Sequence, residues 1–239
     1  MTEQTAAGVK AALAAFATRD RASALSRFFK TGPGQYGEGD LFIGVTVPQS
    51  RAVAKQFASL PLTEIYELAQ SPIHEHRHCA LVILVNRFQR AKSTETKDEL
   101  FAFYLRLLDE GRVNNWDLID ISAPYLGSWL ISQAHAARLR DLARHEDLWH
   151  RRAAVMFTFA FIRVGKLEPT WQIAQQLITD DHDLIHKAVG WMLREAGKRD
   201  VAALREFLGK NASSMPRTML RYAIEKLPPA ERQVWLATR

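Results

Sequence analysis

Trp116 and Asp120 stand four residues apart in NNWDLID, so on a helix an indole face and a carboxylate share one side while Asp117 points about a quarter turn away. Trp191 and Arg194 in GWMLREAGK repeat the arrangement, with Lys187 four residues before Trp191 on the same face, and Arg151 and Arg152 lie between the two groups. A carboxylate beside aromatic faces stabilises developing positive charge, and ring quadrupoles attract cations. Taken singly, each Trp reads as a core filler and each charge as a local pair or a solvated face. Taken together, they occupy corresponding parts of three consecutive helical segments, and a shared surface implies a shared ligand.

These residues need a frame to position them. Beyond residue 48 nearly every segment has apolar residues at three- and four-residue spacing, as in Leu100, Phe103, Tyr104, Leu107 and Leu108, which is the helical period. EHRHCALVIL, NNWDLIDISA, LWHRRAAVMF, LIHKAVGWML and SMPRTMLRYA each begin polar or basic and continue as a buried helix. Placing His78, Asn115, Arg152, Lys187 and Arg217 at equivalent positions gives steps of 37, 37, 35 and 30 residues, near the roughly 40-residue period of HEAT-type helix pairs. The expectation is an all-α fold, a HEAT-like helical repeat solenoid whose equivalent positions line a concave, basic and aromatic face. It is read as one domain over 1–239, with an N-terminal helical pair at 1–30, a glycine-rich loop at 31–40 and helical repeats at 48–239. The stretch LFIGVTV, from Leu41 to Val47, is read as an extended loop ending at Pro48, which is suited to opening the next helix.

The chain has 239 residues, 47% of them apolar, and a net charge of +6 with a pI near 9.6. It can bury a large core, and its charge favours polyanionic partners. The longest apolar run, Ala153 to Ile162, is about half of the roughly 20 residues that a bilayer span needs, so no membrane is expected. A start without a basic leader and a single cysteine, Cys79, fit a reducing cytoplasm, and the lack of a heptad seam favours a monomer.

Several chemistries are excluded by pattern. TGPGQYGEGD has no Lys-Ser or Lys-Thr after its last glycine and is no phosphate-binding loop. His74, His76 and His78 alternate, so helix geometry sends neighbours in the series about 200 degrees apart; His182 and His186 lack an intervening Glu and a third ligand, and no metal is expected. Cys79 reads as a small buried hydrophobe, no lysine, Lys30 included, is marked for Schiff-base chemistry, and no cofactor is expected.

WDLIDISAPYLG from Trp116, LWHRRAAVMF from Leu148, KAVGWMLREAGK from Lys187 and, more loosely, LFIGVTVPQSR from Leu41 resemble the AlkD-type DNA alkylation-repair glycosylases, all-helical HEAT-like proteins of about this length. The resemblance covers most of the chain. It implies duplex DNA containing alkylated purines as the partner, base excision repair as the setting and a nucleoid-associated location when DNA is bound. It further implies that Trp116 and Trp191 are the aromatic walls of the site, Asp120 its catalytic carboxylate and Arg152 a grip on the DNA backbone. Lys187, Arg194 and the neighbouring Arg151 would be further phosphate contacts. Two positions on the same DNA-binding surface depart from the best-known members: Asn115 where they place a second Trp, and Phe28 where they have Tyr at the N-terminal edge of the site.

The implied activity is a monofunctional N-glycosylase acting on purines made cationic by N3 or N7 alkylation. Glycosidic bond cleavage passes through an oxocarbenium-like state, which a carboxylate stabilises. A cationic purine leaves as a neutral base and needs no general acid, while Asp120 orients or deprotonates the water. The damaged base need not enter a deep pocket, whereas most glycosylases flip it. Two other readings stand beside this one: a non-catalytic HEAT-like module that grips distorted DNA, and a protein-binding scaffold.

Overall fold

The computed structural model describes residues 4–131 and 136–238. Among the described residues there are fourteen α-helices, one 3-10 segment and a single isolated β-bridge: an all-α helical repeat. The chain divides into two compact units, 1–122 and 123–239.

The first unit holds α1 (Ala6–Ala14), α2 (Arg19–Phe28), α3 (Val47–Gln56), α4 (Leu62–Ala69), α5 (His74–Arg90), α6 (Thr94–Asp109) and the start of α7 (Trp116–Leu126). Its axis is α5, which packs against α1, α3, α4 and α6. A helix covered on nearly all sides is normally apolar all round, yet the first five residues of α5, His74 to His78, are polar and buried. Each of their polar groups therefore needs a partner, or leaves a costly unpaired atom.

Local chemistry sets the helix starts. Thr46 and Gln49 form a capping box at α3 with Pro48 in its first turn, which satisfies otherwise orphaned N–H groups. The stretch before it is extended, as expected for a loop, and Leu41 forms a parallel bridge with Ile73. Gly44 has φ of +85°, and a Cβ there would lie 2.3 Å from the Thr18 carbonyl oxygen; only glycine combines that conformation with that approach. The Glu75 carboxylate then accepts the N–H groups of Ile43, Gly44 and Val45 at 3.1, 2.8 and 3.1 Å, fastening the loop to the first turn of α5.

The second unit holds the 3-10 segment Gly127–Ile131, α8 (Ala136–Ala143), α9 (Leu148–Arg163), α10 (Glu168–Gln176), α11 (Asp183–Gly197), α12 (Val201–Asn211), α13 (Arg217–Ala223) and α14 (Pro229–Ala237). Asp147 caps α9 by accepting from the Trp149 and His150 N–H groups at 2.6 and 3.1 Å. α11 packs on both α9 and α13, and a Cβ on Gly190 would lie 2.5 Å from the Met219 carbonyl oxygen, so the glycine permits the close crossing. The run AAVMFTFAFI lies inside α9, and among the described residues no helix is long and apolar enough to cross a membrane.

His78, Arg152 and Lys187 each fall at the fifth residue of their helix, whereas Asn115 precedes α7 and Arg217 opens α13. The repeat register drawn from sequence slips by about one turn at those two positions. Asn115 caps α7 with its own side chain, and Pro216 disfavours a helical residue before it.

Candidate functional site

A cavity of about 760 Å³ in the first unit is lined by α2, the 42–47 segment and the first turns of α3, α5 and α7. Trp116, Asp120 and Phe28 all line it. The helical spacing of Trp116 and Asp120 puts both on the cavity side of α7, while Phe28, 63% exposed, comes from the last turn of α2. Its ring meets Trp116 edge-on at 6.0 Å. Behind it Phe29 is buried and stacks on Trp116, with centroids 5.3 Å apart and planes 19° apart. Phe42 continues the stack at 5.0 Å from Phe29, so the Trp116 indole is held from the side away from solvent by an aromatic column.

The column ends on an ion-paired imidazole. His74 lies 4.6 Å from Phe42, nearly parallel to it. Its Nδ1 meets Asp40 at 2.9 Å and its Nε2 meets Asp117 at 2.8 Å. Two carboxylate acceptors demand two N–H donors, so His74 is an imidazolium. Burial works against that charge, but the Asp117 carboxylate and the hydrogen bonds from both partners prevail and raise its pKa to about 9. Asp40 also accepts from Arg77 and, at 3.1 Å, from the Asn115 amide. Burial pushes its carboxyl up, yet the His74 hydrogen bond and the Arg77 charge hold it below the usual carboxylate range. The glycine-rich loop thus delivers Asp40, its last residue, to a buried network that joins α5 to the start of α7.

Asn115, expected on the DNA-binding surface, is fully buried. Its amide nitrogen donates to Asp40 and its oxygen accepts the Trp116 N–H at 2.9 Å. Its work here is to set where α7 begins, and hence where Trp116 and Asp120 point.

The histidines of IHEHRH do not converge. His76 pairs with Ser71 Oγ at 2.8 Å and His78 with Ser50 Oγ at 2.8 Å. Burial pushes both imidazoles down to about 4, so they are neutral at pH 7. Cys79 is buried, and burial pushes its thiol up to about 12, which removes it as a nucleophile.

The second unit carries the remaining expected residues. Trp191 is half-buried on α11, 6.4 Å from the Phe159 ring. Lys187, 42% exposed, pairs with Asp183 at 2.7 Å, and Arg194 pairs with Glu195 and Glu225. Arg152 is 4% exposed and donates from Nη1 to the Leu184 carbonyl at 2.6 Å, which ties α9 to the first turn of α11. Arg151 binds Asp180 at 2.7 Å and the carbonyls of His145 and Glu146. These two guanidiniums are fastened to protein groups, and of the four expected cations of this unit Lys187, itself ion-paired, is the most exposed.

Asp40, His74, Asp117, Phe29 and Phe42 back the Trp116 side of the cavity, where the sequence analysis does not place them. The available signal for Asp117 is its quarter-turn offset from Trp116, which sends its carboxylate to a different neighbour. Arg21, exposed at the cavity with Nε on Thr18 Oγ1 at 2.9 Å, carries no sequence signal that separates it from other surface cations.

The sequence model for DNA alkylation repair enzymes matches residues 9–227. No curated protein matches the sequence. The solved structure of a predicted DNA alkylation repair enzyme from Enterococcus faecalis superposes with a TM-score of 0.69 at 20% identity, covering 89% of this chain and 97% of that one, which is a likeness of fold. With the family match running from α1 to α13, the chain belongs to the family of DNA alkylation repair enzymes.

Proposed function

We propose that this protein is a monofunctional DNA N-glycosylase that releases N3- and N7-alkylated purines from duplex DNA. The observation that carries the reading is the placement of Asp120 with Trp116 and Phe28 around one largely apolar cavity. There a carboxylate faces developing charge with little competing water. The lesion's own positive charge draws it to the Trp116 face, and undamaged purines lack that charge.

Heterolysis of the C1′–N bond returns the electron pair to the purine, which leaves neutral, and the deoxyribose passes through an oxocarbenium-like state opposite Asp120. Water then bonds to C1′ and loses a proton to the carboxylate. A leaving group that is already cationic makes a metal, a general acid and a cofactor unnecessary. Trp191 is proposed as a further aromatic contact to the lesion-bearing strand. Lys187 and Arg194 are proposed as phosphate contacts, with Arg151 and Arg152 positioning the helices that present them. The setting is base excision repair in the cytoplasm, by a monomer.

The test is incubation of the purified protein with methylated duplex DNA, without added metal, beside Asp120→Asn. Release of 7-methylguanine or 3-methyladenine that the variant abolishes is the expected result. DNA binding without release would replace the reading with a lesion-binding module, and no binding to duplex DNA at low salt would replace it with a protein scaffold.

A further inference from the structure

His78 lines the same cavity as Asp120, and the mechanism above leaves it unused. His74, the first residue of α5, is bonded to Asp117, the second residue of α7. His78 is one turn further along α5 and Asp120 nearly one turn further along α7, which puts both beside the cavity.

The two ring nitrogens of His78 have different surroundings. Nδ1 meets the buried Ser50 hydroxyl at 2.8 Å. Nε2 is buried and has no hydrogen-bond partner among the described residues, and the residue as a whole is 3% exposed. Ser50 Oγ has Nδ1 as its hydrogen-bond partner, so the arrangement that strands no hydroxyl proton has Ser50 O–H donating to Nδ1. That arrangement puts the proton on Nε2, which makes His78 a neutral donor in the wall of the cavity that Asp120 also lines. Neutrality matters chemically, because an imidazolium here would repel both the cationic lesion and the oxocarbenium-like sugar. Burial, by pushing the His78 pKa down to about 4, leaves the ring uncharged at neutral pH.

We propose that His78, through Nε2–H, holds the water that Asp120 directs at C1′ of the lesion nucleotide. The inference rests on the glycosylase reading. The water oxygen accepts from Nε2–H; once the C1′–N pair has departed with the purine, its remaining lone pair bonds to C1′ and one of its protons passes to Asp120. His78 keeps its own proton throughout. Ser50 acts through His78 and is a positioning residue.

Two measurements test this separately. Nitrogen-15 spectra of the imidazole in the intact protein are expected to show Nε2 protonated and Nδ1 not, with the preference lost in Ser50→Ala; a proton on Nδ1 in the wild type overturns the assignment whatever the activity. In single-turnover release of 7-methylguanine, His78→Leu is expected to be about 10- to 100-fold slower with affinity for the same duplex held within about twofold, because a misplaced reactant loses rate more than binding. His78→Gln, whose amide N–H reaches toward the Nε2 position, is expected to recover much of the loss, which a packing role would not produce. Wild-type rate in His78→Leu, with release still abolished by Asp120→Asn, overturns the role of His78 and leaves the glycosylase reading standing. No release by the wild type overturns both. Should His78→Leu fail to fold, Gln activity above that of Asp120→Asn together with slowed Ser50→Ala supports the proposal, and Ser50→Ala at the wild-type rate overturns it.

Discussion

The charges behind Trp116 in the first unit and those of Lys187 and Arg194 in the second are handled differently. In the first, Asp40, His74, Arg77 and Asp117 are withdrawn from water and paired with one another, so each charge is compensated inside the unit. In the second, Lys187 pairs with Asp183 one turn away at the surface, and Arg194 pairs with Glu225, itself 42% exposed. A buried network of this kind is rigid, because removing one member strands another charge in a poor dielectric. A surface pair is worth little and exchanges readily for another anion. On the proposed function, the first unit holds a carboxylate and an indole in fixed geometry, and the second offers Lys187 and Arg194 as phosphate contacts.

The largest effect expected from this contrast is on stability. Asp40→Ala leaves the His74 and Arg77 charges buried without their shared partner and should destabilise the protein by about 3–5 kcal/mol, read from denaturant unfolding, whereas Lys187→Ala should change stability by less than about 0.5 kcal/mol. Equal losses would erase the distinction between the units.

Asp120→Asn should reduce single-turnover excision by about 100- to 1000-fold, the scale for removing one preorganised electrostatic contact, with duplex affinity retained. A parallel loss of affinity would place Asp120 among the binding groups.

The third effect is a pH dependence confined to the first unit's network. Folding raises His74 from its ordinary 6.5 to about 9, so its contribution is full below 6.5, declines above that and is lost as pH passes about 9. The decline should be on the order of 1–3 kcal/mol. Unfolding free energies measured from pH 6 to 10 should show it, and His74→Leu, less stable throughout, should lack that alkaline limb.

The smallest effect lies in the second unit. Lys187→Ala should weaken duplex binding and lower the slope of log affinity against log salt by about one, as for a single phosphate contact. Asp183→Asn, which releases Lys187 from its ion pair, should strengthen binding. An unchanged slope in the first variant would remove Lys187 from the interface.

The periodicity that identifies helices is local, and so is the four-residue spacing that joins Trp116 to Asp120, so both are legible in the chain. The repeat register is less so. The capping role of Asn115 and the position of Pro216 shift two helices by a turn, and a pattern of apolar residues does not distinguish a cap from a first helical residue. Arg152 shows the same difficulty in another form. A cation in a basic segment reads as solvent-facing, but packing of α9 against α11 buries it on the Leu184 carbonyl.

What the sequence determined by itself was the helix-pair composition, the basic balance and the shared face of Trp116 and Asp120, because each follows from residues within a few turns of one another. Only the tertiary structure decided that Asp40 and Asp117, 34 and 43 residues from His74, close on the two nitrogens of one imidazole. It alone decided that Phe29 and Phe42 stack behind Trp116, and that Ser50, His78 and Asp120 line one cavity. Such contacts depend on which helices pack together and at what height, and that choice is made by the burial of the whole unit.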